Sequence, residues 1–255
     1  MMAAVVLGRL FTALVVLLLA APAFADPPVA DAEPVIVYIE TDPWAMMIGS
    51  DSPRFVLYDD GTVIYRADAG YQAVTLAAAD SAALAAKVKL AGIDDYTAYT
   101  SITDQPSSII IDFRDNLAVV AYGATSRHRN RRDASDKLLG MITLLQEYQN
   151  PKSEVWEPEA IEVMIWPYEY APEASIIWPE EWPGLDHAAT IQRGDSYSLL
   201  IPINDMDALL AFLETRKARG AVEIGGKKWA VSLRTPLPGE ARWMPRAGDD
   251  PAERE

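Results

Sequence analysis

Arg54-Phe-Val-Leu-Tyr-Asp-Asp-Gly-Thr-Val-Ile-Tyr-Arg66 sets two β-rich runs on either side of Asp60-Gly61. Aspartate followed by glycine accepts the positive φ angles of a tight turn, so this stretch predicts a β-hairpin. Two further stretches repeat the pattern: Ser108–Arg114 with Leu117–Gly123 around Asp115-Asn116, and Ala221–Ile224 with Lys227–Arg234 around Gly225-Gly226. Val35–Ile39, Tyr71–Leu76 and Ser196–Ile203 add single strands, the last interrupted or edged by Pro202.

Between these runs the periodicity changes to that of helices. One helix is expected to start near Asp80, whose carboxylate can cap free amides, and to stop at Gly92. A second spans 133–149, where Leu138, Met141, Ile142, Leu145 and Tyr148 form one apolar stripe. Asp133 or Ser135 can cap its start, and Asn150-Pro151 ends it. A third spans 204–219 and closes at Gly220, with Arg216, Lys217 and Arg219 where the helix dipole favours cations. Hairpins with short connections and about three helices define an α+β fold, an antiparallel sheet with helices packed on it. Residues 71–123 and 195–234 share the order strand, helix, hairpin. That order leaves open two related lobes, although α+β chains often alternate in this way.

Residues 1–25 read as a secretory signal peptide. Arg9 is followed by the apolar run Leu10–Ala20, and Ala23-Phe24-Ala25 offers small residues for cleavage between Ala25 and Asp26. The run is shorter than the roughly 20 apolar residues of a membrane helix, and no later stretch is longer, so no membrane span is expected in the mature chain. The organisation expected beyond the signal is an N-terminal α+β lobe at 26–152, a Trp/Pro/Glu-rich connector at 153–192, a C-terminal strand-helix-hairpin lobe at 193–244 and a flexible tail at 245–255.

Composition narrows the function. The 255 residues carry 37 Asp+Glu against 22 Lys+Arg, a net charge of −15 that repels polyphosphate, so no nucleic-acid partner is expected. The absence of cysteine excludes disulfides and a thiol nucleophile, and with only two histidines, His128 and His187, a zinc site is not expected either. Neither histidine has a catalytic setting: His128 lies in a basic run, and His187 directly follows Asp186, a neighbour that points away from it on a strand or helix. There is no G-x-S-x-G elbow, S-x-x-K pair or Gly-rich phosphate loop. No cofactor or metal is implied.

Two local concentrations stand out. Residues 153–192 hold Trp156, Trp166, Trp178 and Trp182, eight glutamates and Asp186, with no lysine or arginine. Indole faces beside carboxylates suit sugar stacking or a peptide groove, which makes the four tryptophans with Glu180 and Glu181 candidate ligand-binding residues. The same carboxylates, with Glu173, could serve glycoside hydrolysis if their separation suited it, and the plainer alternative is that the indoles bury against a sheet. The second concentration is Arg127-His128-Arg129-Asn130-Arg131-Arg132. Arg127, Arg129, Arg131 and Arg132 are a candidate anion-binding patch, or a solvated loop that balances nearby carboxylates. The function expected is therefore that of an exported, periplasmic or secreted, non-catalytic protein binding a protein, peptide or glycan partner. The alternative is a carboxylate-dependent glycan hydrolase of the envelope or the extracellular space.

Overall fold

The computed structural model describes residues 32–42, 44, 51–93, 106–125 and 135–244. Their fold is α+β, with thirteen strands in two sheets and three α-helices. The signal peptide and its Ala25–Asp26 junction, the arginines of the basic run and the tail 245–255 lie outside the described residues.

The first sheet contains β1 (Pro34–Thr41), β2 (Phe55–Tyr58), β3 (Thr62–Ala67), β4 (Gly70–Thr75), β5 (Ser107–Asp112), β6 (Leu117–Tyr122) and β7 (Glu154–Val155), in the spatial order β6-β5-β1-β2-β3-β4-β7. All its pairings are antiparallel. The founding hairpin forms with Val56 opposite Ile64 and Leu57 opposite Val63. Its turn differs from the expected one: only Gly61 has a positive φ, at 86°, while Asp60 turns its carboxylate onto the Thr62 amide and hydroxyl at 2.7 and 2.9 Å. Three residues, not two, make the bend, the geometry of a type I turn closed by a glycine bulge. Glycine is required there, because a Cβ would stand 2.8 Å from the Leu76 carbonyl oxygen.

Two helices cover one face of this sheet, α1 (Ala78–Lys87) and α2 (Asp136–Gln146). Leu84, Ala85, Leu138, Met141, Ile142 and Leu145 pack there against Ile36, Phe55, Leu57, Val63 and Ile110. Ser135 caps α2 by accepting from the Leu138 amide at 3.2 Å. Asp80 does not cap α1: it sits inside the first turn behind Ala77, where it can only complement the dipole. Nor does Gly92 end that helix. Arg114, held by Asp112 through two bonds of 2.8 and 2.7 Å, donates to the Ala85 and Val88 carbonyls and satisfies the terminal acceptors from the turn between β5 and β6.

The second sheet contains β8 (Ala160–Pro167), β9 (Glu173–Ile177), β10 (Ile191–Arg193), β11 (Ser196–Pro202), β12 (Gly220–Ile224) and β13 (Lys227–Arg234), in the order β10-β11-β8-β13-β12-β9. Only β9 and β12 run parallel. The segment expected as a connector thus supplies β7, β8 and β9, and β8 lies inside the second sheet between β11 and β13. Helix α3 (Met206–Glu214) follows a 3-10 turn and is shorter than 204–219. The Thr215 hydroxyl takes the Phe212 carbonyl at 2.6 Å and stops the helix, so Arg216, Lys217 and Arg219 fall beyond its last turn. Gly220 is the first residue of β12, where a Cβ would meet the Ala174 carbonyl of β9 at 2.6 Å.

The strand-helix-hairpin order recurs as β4-α1-β5-β6 and β11-α3-β12-β13. The pairings differ, because the first hairpin docks on its sheet through its leading strand β5 and the second through its trailing strand β13. The sheets meet along a seam formed by the chain after β13. Leu237 enters the far face of the first sheet with Val37, Val56, Tyr58 and Ile64, with Trp156 and Trp243 packed beside it. The Tyr58 hydroxyl donates to the Pro238 carbonyl at 3.0 Å, the Thr235 amide donates to the Ser52 hydroxyl at 2.9 Å, and Arg242 pairs with Glu33.

Candidate functional site

The seam carries two cavities with Arg234 between them. Strand β13 delivers Arg234 to the face opposite the apolar core of the second sheet, because Trp229, Val231 and Leu233 take the alternate positions. Its guanidinium is fully buried. Nη1 reaches Glu162 at 2.6 Å and Glu240 at 3.0 Å, and Nη2 reaches Glu240 at 2.6 Å. Arg193 approaches Glu162 at 3.4 Å and also donates to the Ser198 hydroxyl. Two arginines therefore face two glutamates. Burial works against the charge on Arg234, but hydrogen bonds and attraction from Glu240 and Glu162 outweigh it and hold its pKa above the ordinary value. Arg193 belongs to the sequence Arg193-Gly194-Asp195, and its engagement with Glu162 and Ser198 gives this turn a structural use.

On one side of Arg234 lies a cleft of about 530 Å³, lined by residues of both sheets. Glu40 comes from β1, Arg54 precedes β2, Arg66 lies near the end of β3 and Tyr71 near the start of β4. Asp42, Asp51 and Asp68 line it as well. The Tyr71 hydroxyl donates to the Pro53 carbonyl at 2.7 Å. Burial raises its pKa, while Arg66, the Ser52 hydroxyl, Arg234 and Arg54 pull it down. Arg54 pairs only loosely with Glu40, at 3.6 Å, and Arg66 is exposed with no ion pair among the described residues.

On the other side lies a groove of about 370 Å³ lined by Trp156, Glu157, Pro158, Glu159, Pro236 and Pro238, with Glu162 and Glu240 at its wall. Trp156 is set edge-on to Tyr71, with ring centres 5.9 Å apart, and its indole nitrogen has no hydrogen-bond partner among the described residues.

The structure distributes the candidate ligand-binding residues over several places. Trp156 borders the groove. Trp178 and Trp182 pack on each other and on Phe212 of α3 with ring centres 5.0–5.7 Å apart, and the Trp178 indole donates to the Pro183 carbonyl. That cluster seals α3 onto the second sheet. Trp166 sits on β8 opposite Ala230, half-buried and lining neither cavity, and Glu180 and Glu181 are exposed in the loop between Trp178 and Trp182. Among the described residues no group of three or more His, Asp or Glu side chains is arranged to hold a metal ion. No helix of the described residues is long and apolar enough to cross a membrane.

The residues that sequence reasoning missed include Arg54, Arg66, Tyr71 and Arg234 at the cleft and Glu157 and Glu159 at the groove. They lie up to 180 residues apart along the chain, so no spacing connects them. A buried-strand position for Arg234, among apolar alternates, is the one local signal that a partner had to exist. No family model matches the chain, and neither a curated protein nor a solved structure is similar to it.

Proposed function

We propose that the protein is exported and binds a peptide, protein or glycan partner without transforming it, through the groove around Trp156. The observation that carries this reading is the groove itself: the partly exposed Trp156 ring, three prolines and the exposed carboxylates of Glu157 and Glu159 on one concave surface. A rigid aromatic anchor in an apolar channel supplies most of the affinity in such sites, and proline lining keeps the channel preformed. The two exposed glutamates favour a partner with basic or hydroxyl groups, and an extended peptide segment with a basic residue meets both requirements.

Titration with panels of basic peptides and neutral oligosaccharides, followed by calorimetry and tryptophan fluorescence, tests it. Saturable binding is expected for at least one panel, lost at least tenfold in Trp156→Ala and weakened severalfold in Glu157→Gln/Glu159→Gln. Circular dichroism shows whether each variant retains its fold. Equal binding by the parent and a folded Trp156→Ala protein overturns the assignment, and release of cleaved sugar would favour glycan hydrolysis instead. Export rests on residues 1–25. Mass spectrometry of the protein recovered from outside the cytoplasm is expected to show a chain beginning at Asp26, and a retained Met1 or Met2 overturns export.

A further inference from the structure

We propose that the cleft on the opposite side of Arg234 is a second binding site, for a small monocarboxylate that also carries hydroxyl or ammonium groups, the class of amino acids, hydroxy acids and uronic acids. This site is separate from the Trp156 groove and does not depend on it.

Three arginines border the cleft, and they differ in how far their hydrogen-bonding capacity is used. Arg234 is immobile and fully buried, since both terminal nitrogens are held by Glu162 and Glu240. Its charge is met by those two carboxylates, so it fixes the wall of the cleft and leaves recognition to the other two. Arg54 is the opposite case. Its contact with Glu40 is 3.6 Å long, and its buried Nε lacks a hydrogen-bond partner among the described residues. A small re-aiming of this side chain onto a ligand oxygen gains a charge-assisted bond at little loss. Arg66 stands exposed at the mouth with no ion pair among the described residues. Arg54 and Arg66 border the same cleft as Tyr71, so both charges are set around one space. A planar carboxylate matches the fork of a guanidinium, and Arg54 and Arg66 can both offer one.

The acidic lining decides which anion fits. Glu40, Asp42, Asp51 and Asp68 border the same cleft, four carboxylates against Arg54 and Arg66, the two arginines whose charge Glu162 and Glu240 do not already meet. A doubly charged phosphate or sulfate would meet that excess with twice the repulsion of a monoanion. The same carboxylates accept hydrogen bonds from hydroxyl groups and attract an ammonium, so a ligand that adds either to its carboxylate uses both kinds of wall. A cleft of about 530 Å³ has room for a molecule the size of a sugar acid or a dipeptide.

The test is calorimetric titration of the full chain with glucuronate, lactate and a set of amino acids. Glucose supplies a control without a carboxylate, acetate one without additional donors, and phosphate and sulfate supply dianions. Binding is expected for at least one donor-bearing monocarboxylate, at least tenfold tighter than for acetate or phosphate and absent for glucose. Arg66→Gln and Arg54→Gln are each expected to weaken it at least tenfold. Arg66 is exposed and in no ion pair among the described residues, so its replacement is expected to leave the fold in place, which thermal unfolding verifies. Glu157→Gln/Glu159→Gln, which changes the groove at residues that do not line the cleft, should leave carboxylate binding unchanged, and Arg66→Gln should leave groove binding unchanged, which separates the failure of one site from that of the other. The proposal is overturned if no monocarboxylate binds, if phosphate binds as tightly as the best carboxylate, or if both arginine variants bind like the parent.

Discussion

The two sheets bury polar groups in different ways. The first buries mainly neutral hydroxyls. Tyr38 donates to Glu40 and meets Ser108 at 2.9 Å, Tyr58 donates to Pro238 and Tyr71 to Pro53. Its one fully buried carboxylate, Asp112, is held by Arg114 two residues along the chain, and that arginine is a third exposed. The second sheet buries an ion network with no local shortcut: Glu162 on β8 meets Arg234, 72 residues later, and Arg193, while Glu240 closes the far side. A hydroxyl with one acceptor is satisfied cheaply and constrains little. A buried charge pair is satisfied only when every partner is in place, so it ties β8, β10, β13 and the chain after β13 to one mutual arrangement. The seam and both cavities lie around this network, which holds their walls in register.

The largest effect that would break this contrast is at Arg234. Its replacement by methionine leaves Glu162 and Glu240 buried without their main cation, and a loss of about 3–5 kcal/mol is expected in urea unfolding. The double change Arg234→Met/Glu162→Leu should recover a substantial part of that loss, because the apolar pair leaves one fewer buried charge without a partner. Arg114→Met in the first sheet should cost less than Arg234→Met, since water reaches Arg114 and can replace part of what it gave Asp112. If the two single variants lose the same stability, the distinction between local and long-range burial of charge fails.

How much of this was legible in the sequence depends on how local its cause is. The Gly225-Gly226 hairpin was fully legible, because both glycines adopt positive φ, at 59° and 73°, as a two-residue turn demands. The stripe of α2 was legible too, since Leu138, Met141, Ile142 and Leu145 are all buried. Strand β8 was hidden by composition. Ile161-Glu-Val-Met-Ile165 is a short apolar run between Pro158 and Pro167 in a segment dense with glutamate, and its own Glu162 looks like surface until Arg234 is placed beside it. Termini decided by tertiary contacts were equally hidden: nothing near α1 announces that Arg114 will take its last carbonyls. Of the candidate site, Trp156 could be named from composition, but the glutamates singled out with it, Glu180 and Glu181, line neither cavity, and neither the carboxylates beside Trp156 nor the scatter of the other three tryptophans could be told from the sequence. The cleft was invisible, since its arginines come from just before β2, from β3 and from β13, in two sheets that are brought together only at the seam.

A smaller effect sharpens the comparison from the side of the first sheet. Burial raises the pKa of Tyr38, Tyr58 and Tyr71 above the ordinary 10.0, reinforced by Glu40 at Tyr38 and by Glu240 and Asp60 at Tyr58, and opposed by arginines at Tyr71. A raised value means that the folded chain holds the phenolic proton more tightly than the unfolded chain does. The stabilisation is therefore complete below pH 10 and is lost progressively as the pH rises beyond it. Alkaline titration followed by tyrosinate absorbance should show that part of the signal of the 11 tyrosines, that of the buried group, appears only as the sheet unfolds. Tyr58→Phe should cost about 1 kcal/mol at neutral pH through loss of the bond to the Pro238 carbonyl. The same change should make the alkaline fall in stability shallower, because one proton fewer is held by the fold. The buried charges of the second sheet give no such alkaline signature, since Arg234 stays protonated throughout that range. Should all the tyrosines ionise together near pH 10 with the sheet intact, hydroxyl burial is not what distinguishes the first sheet from the second.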